Sequence, residues 1–246
     1  MIKTELCAYS VEACQIAARL GVDRVELCAS PAEGGVTPSL ATIERVAQIP
    51  NLDLSVMIRP RGGDFLYSDD EFQTMLLDIK YAQQAGATGV VFGVLTADGK
   101  VDVERTRQLV EASGDMETTF HRAVDMTEDY AQAVEDIIAA GCKRILTSGS
   151  YDKAIDGIEN IAKAVEVSRG RIEIMAGSGV GSANAKELIG VGVDALHFSA
   201  KSTTMGGMKY RNPRISMGGT ASVDEFALRT VDEQEVTKIL NIIELC

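Results

Sequence analysis

Short aliphatic, β-branched runs recur along this 246-residue chain, and each is followed by a stretch whose apolar positions keep helical spacing. The runs fall at Thr4–Ala8, Arg24–Cys28, Leu54–Arg59, Gly89–Val94, Glu117–Arg122, Arg144–Ser148, Ile172–Ala176 and Ala195–Ser199. Between them, helix starts are legible. Ser68 with Glu71 three residues on forms a capping box ahead of Phe72, Met75, Leu76 and Ile79. Thr37 before Pro38 reads as a cap before a first-turn proline, and Asp102, Thr127 and Ser182 read as three further caps. Helix ends are marked by Gly21, Gly86, Gly141 and Gly192, each leading directly into a strand. Eight strand–helix units in this length predict an α/β fold, a (β/α)8 barrel forming a single domain over residues 1–246. A doubly wound open sheet is the alternative, but no Gly-x-Gly-x-x-Gly follows the first strand. The Gly-, Ser- and Met-rich segment Lys201–Val231 reads as a long loop after the eighth strand, a lid or an interface arm. A last helix is expected at about Asp232–Leu245.

Composition narrows the function classes. The absence of Trp and the 5% aromatic share imply an aliphatic core, as expected for parallel strands covered by helices. A formal charge of −12 speaks against nucleic acid and against anionic lipid as partners. The N-terminal residues lack signal-peptide character, and the longest apolar run, Gly89–Leu95, is too short to span a bilayer, so a cytoplasmic location is expected. The five cysteines include no Cys-x-x-Cys pair, which fits reduced thiols better than a disulfide framework.

Candidate chemistry gathers at the strand ends, the functional rim of such a barrel. The tetrapeptide Glu-Leu-Cys-Ala occurs at Glu5–Ala8 and again at Glu26–Ala29. Alternation puts Glu5 with Cys7, and Glu26 with Cys28, on one face of their strands. Equivalent positions on adjacent strands would set the two cysteines roughly 5 Å apart laterally, close enough to clasp Cu(I). The same rim holds Arg59, Arg61, His121, Arg122, His197 and Ser199, and both histidines of the chain lie at strand ends. An internal pair of each Glu with Arg59 or Arg122 is the structural reading of these charges. The functional reading is an enzyme in which Glu26 or His121 moves a proton and Arg59, Arg61 and Arg122 grip a small anionic substrate such as a sugar phosphate. Gly177 and Gly179 open the seventh loop and, with Ser199, form a candidate anion cradle; tight turns would explain those glycines equally. No lysine stands on the C-terminal half of a strand, so proton transfer by an isomerase or lyase fits better than a Schiff base, and no organic cofactor is evident. Met205, Met208 and Met217 in the long loop are a faint further sulfur signal.

These residues also carry a resemblance. Glu5-Leu6-Cys7, Asp23–Cys28, Glu33–Ser39, Met57–Phe65 with its Arg-Pro-Arg-Gly-Gly-Asp block, Thr119–Met126 and Leu146–Gly149 resemble the CutC copper homeostasis family, in order, over nearly the whole chain. The resemblance implies a cytoplasmic, often oligomeric barrel (dimer or tetramer) engaged in copper handling, with the family's Cu(I) ligands falling on Cys7 and Cys28.

Overall fold

The computed structural model describes residues 2–212, 214–215, 224 and 226–246. Strands and helices alternate as Lys3–Ala8 (β1), Val11–Leu20 (α1), Arg24–Leu27 (β2), Leu40–Ala47 (α2), Asp53–Met57 (β3), Asp69–Gln84 (α3), Gly89–Phe92 (β4) and Val103–Ser113 (α4). They continue as Glu117–Phe120 (β5), Tyr130–Ala140 (α5), Arg144–Thr147 (β6), Ile158–Ser168 (α6), Glu173–Ala176 (β7), Ala185–Gly190 (α7) and Ala195–Phe198 (β8). Strands β1 to β8 pair in sequence, all parallel, and β8 pairs back onto β1, closing the barrel. The (β/α)8 architecture expected from the pattern is the one observed.

Alternation decides what fills each space. Leu6, Val25, Leu27, Leu54 and Val56 point outward and are buried under the helices. The inward positions form smaller apolar groups, Cys28–Met57–Val91 on one side and Leu146–Met175–Ala195 on the other. The remaining interior is polar, an arrangement with a cost unless every charge is paired or used.

Several expected starts shift. The α3 capping box of Ser68 and Glu71 forms in full, and Asp102 caps α4. Ser39, not Thr37, caps α2. Thr37 instead pins the end of β3, its Oγ1 accepting the Arg59 N–H at 2.9 Å. Asp129 caps α5, while the Thr127 hydroxyl donates back to the Val124 carbonyl. Ser182 precedes α7 without capping it and donates to Glu235 on the last helix, Glu233–Glu244 (α8). Thr37 and Ser182 are held by partners that only the folded chain supplies, while Thr127 turns back to a carbonyl three residues before it. The long segment begins and ends as an antiparallel hairpin, Lys201–Met205 (β9) with Ala227–Val231 (β10). Arg229 on β10 lies over the Tyr9 ring, 5.6 Å from its centroid, so the hairpin stands beside the end of β1. Met205 and Met208 are exposed, and Met217 lies outside the described residues.

Candidate functional site

The barrel's stagger changes the meaning of the repeated tetrapeptide. β1 and β2 pair with Glu5 beside Arg24 and Cys7 beside Glu26. The two copies are therefore displaced by two residues, and the expectation that Cys7 and Cys28 occupy equivalent positions does not hold. Strands must tilt and step past one another to close a barrel, so equal positions in sequence are not level in space.

The lower layer of the polar interior is an ion network. Arg24 donates from Nε to Glu5, His197 Nδ1 lies 2.7 Å from the other Glu5 oxygen, and Arg144 Nε donates to Glu173 at 2.6 Å. Arg24 also reaches Glu173, at 3.5 Å, and Arg144 donates to Thr119 Oγ1 at 2.9 Å. Burial would raise the Glu5 carboxyl, but the His197 hydrogen bond and the Arg24 and His197 charges outweigh it and hold it at about 2. The internal pairing expected for Glu5 with Arg59 or Arg122 is thus made by Arg24 and His197.

Above this layer, ligand atoms of Cys7, Glu26 and His197 all lie within 4.8 Å of one another. The Cys28 thiol donates to Glu26 Oε2 at 3.5 Å, and His197 Nε2 stands 3.7 Å from the same oxygen. The adjoining Cys28 thiol is the largest influence lowering the Cys7 pKa; burial opposes it, and the His197 hydrogen bond and charge reinforce it, so Cys7 sits well below the usual thiol value. Cys28 moves the opposite way, raised by the Cys7 interaction, by burial and by Glu26. Burial works against charge on His197, but Glu26, Cys7 and Glu5 around it raise its pKa well above the ordinary value. The two shifts run in the sense of a thiolate–imidazolium pair, with Glu5 orienting the ring from behind. Burial raises Glu26, His197 partly offsets it, and the negative charges of Cys7 and Glu5 add to it, bringing the carboxyl to about 8.

These groups line a cavity of about 330 Å³ at the barrel mouth, shared with Arg59, His121, Arg122, Gly179 and Ser199. Arg59, His121 and Ser199 lie just past the last paired residues of β3, β5 and β8, where backbone groups stop being consumed by the sheet. Arg122 is half-exposed and engaged by Asp125, at 3.0 Å, and by Ser148. Two candidates stand apart from the cavity lining. Arg61 is held by Glu71 at 2.6 Å, by Asp64 at 3.0 Å and by the Leu66 carbonyl. Gly177 provides room instead: a Cβ there would stand 2.4 Å from Leu146 Cδ1. Cys28 lies buried behind the cavity wall, against Gly35. Sequence reasoning missed Arg24, the cation that fixes Glu5. Its signal was the inward alternation of Arg24, Glu26 and Cys28.

A family model described as the CutC family matches residues 2–202. A CutC family protein from Bacteroides thetaiotaomicron is 45% identical over 242 residues, covering 98% of this chain and 97% of that protein. A human protein named copper homeostasis protein cutC homolog is 43% identical over 236 residues, covering 96% of this chain and 85% of its own length. The crystal structure of CutC from Streptococcus agalactiae superposes with a TM-score of 0.77 at 35% identity, over 81% of this chain and 99% of that one. An aldolase at 17% identity and TM-score 0.63 shares the barrel fold alone. With its matched residues spanning all eight barrel strands and the whole polar rim, this chain belongs to the CutC family.

Proposed function

We propose that the protein takes part in copper homeostasis by holding Cu(I) at the barrel mouth, with the Cys7 thiolate as anchor and Cys28 as the second sulfur. The observation that carries this reading is the Cys7 thiol, held far below its ordinary pKa beside a second thiol and an imidazole. Cu(I) favours soft sulfur donors in low number, and the lowered Cys7 pKa reduces the proton cost of ligation. The raised Cys28 pKa adds to that cost at the second sulfur, and His197 becomes a third donor only as a neutral ring. The name of the human relative, copper homeostasis protein cutC homolog, supports the copper role. A cytoplasmic setting, which keeps thiols reduced, belongs to the proposal. Competition against a chromophoric Cu(I) chelator tests it. Cys7→Ser and Cys28→Ser are each expected to weaken Cu(I) binding by ~100-fold or more. Parent-like affinity in the double variant would overturn it.

A second reading, proton-transfer catalysis by Glu26 on a small anionic substrate, draws on the elevation of that carboxyl to about 8, near the working range of a general acid or base. Under this reading Glu26→Gln abolishes turnover of a carbon-acid substrate while leaving the fold intact; undiminished turnover sinks it.

A further inference from the structure

The wall of the cavity built by the ends of β3 and β5 carries groups that sulfur ligation does not use. Arg59 is 6% exposed and, among the described residues, makes no ion pair. Its Nη1 donates to the carbonyls of Glu33, at 2.7 Å, and Gly35, at 2.9 Å, and its Nη2 donates to that of Gly63, at 2.8 Å. All three partners are neutral, and they take three of the four outer N–H groups. The charge itself has no counter-ion, which is costly for a buried guanidinium. Its Nε–H is buried with no acceptor in hydrogen-bond geometry, and the Tyr67 hydroxyl, which interacts with the guanidinium, is neutral and supplies no counter-charge.

His121 is 4% exposed, and its Nδ1 accepts the Ala123 N–H at 3.2 Å. That bond assigns the ring proton to Nε2, which is also buried without a partner. Burial, with the Arg59 and Arg122 charges, lowers the ring to about 3 and keeps it neutral. A neutral imidazole carrying Nε2–H gives a hydrogen bond and does not take a proton. This geometry favours a hydrogen-bond donor at His121 over the base or acid expected of it. The site is built around the pair. The Phe65 ring lies 5.0 Å from the Arg59 guanidinium and 4.9 Å from the imidazole, and Gly93 leaves room that a Cβ, 2.5 Å from the ring, would fill.

We propose that Arg59 Nε–H and His121 Nε2–H together form a subsite for one oxygen of a small organic carboxylate, bound at the barrel mouth independently of any metal. The charge count favours a monocarboxylate over phosphate. One cation on this wall lacks a counter-ion, and Arg122 already faces Asp125. Met57, Phe65 and Leu146 add apolar lining for a short carbon body. The volume lies at the small end of ligand cavities.

The test uses metal-free, nitrogen-15-labelled protein titrated with pyruvate, with inorganic phosphate in a parallel arm, following the His121 ring and Arg59 Nε–H resonances. Pyruvate is expected to shift both while His121 keeps the Nε2–H tautomer from pH 5 to 8. His121→Phe, which retains the aromatic packing, is expected to weaken pyruvate binding about tenfold or more. Silence of both resonances at millimolar pyruvate overturns the proposal. So does a response to phosphate alone, or a ring proton found on Nδ1. Because the resonances are read on the parent protein without copper, the outcome stays decisive if the variant fails to fold, and it is separate from the copper measurement.

Discussion

The floor and the mouth of this barrel are equally buried and equally polar, yet they are finished differently. On the floor, Glu5, Arg24, Arg144, Glu173 and Thr119 satisfy one another in a continuous network. At the mouth, Glu26 Oε1, Arg59 Nε and His121 Nε2 are left without partners, and Cys7 is drawn toward thiolate. Charge alone therefore does not mark the site here; charge together with unmet bonding capacity does. Pairing on the floor also serves the mouth, because Glu5 presents the His197 ring to Cys7.

Breaking the floor should have the largest effect. Arg24→Leu strands the Glu5 carboxylate and is expected to cost about 3–5 kcal/mol in denaturant unfolding. A loss below about 1 kcal/mol would show the floor network to be dispensable. Acid tests the same network. The Glu5 pKa is lowered from 4.5 to about 2, so its stabilisation is complete above about pH 4.5 and is lost as the pH falls toward 2. The parent's urea midpoint should decline through that window, and Glu5→Gln should flatten the decline. Gly93→Ala comes next: the added methyl meets the His121 ring, for an expected cost of about 1–3 kcal/mol and a perturbed ring resonance. Glu26→Gln should have the smallest effect, within about 1 kcal/mol near pH 4, where the mouth carboxyl is largely protonated in the folded and the unfolded chain alike. The raised Glu26 pKa costs the parent stability as the pH climbs from about 4.5 to 8, so this variant should gain on the parent at pH 9. A floor-sized loss from Glu26→Gln near pH 4 would erase the distinction between the two layers.

Much of the architecture was legible because it is local. The eight strand–helix units, the Ser68–Glu71 box and the left-handed Gly21 and Gly141 each depend on residues a few positions apart. The caps that were misplaced, at Thr37, Thr127 and Ser182, are polar side chains diverted by Arg59, Val124 and Glu235. The site was half legible. Inward alternation correctly gathered Cys7, Glu26, Arg59, His121 and Arg122 at one cavity, but it also admitted Arg61, which a loop of its own chain neighbours retains.

On its own, the order of residues settles which positions face the barrel axis and which face the helices, because a period of two needs no knowledge of any partner strand. It also settles that the core is aliphatic and that two thiols and both histidines lie near strand ends. The fold alone decides who meets whom. Barrel shear places Cys7 beside Glu26 and Glu5 beside Arg24; His197 and Arg24 then hold Glu5 at about 2, while burial raises Glu26 to about 8. Two identical tetrapeptides acquire opposite electrostatic characters because a carboxyl's charge state follows the groups packed around it, and those arrive from strands distant in sequence.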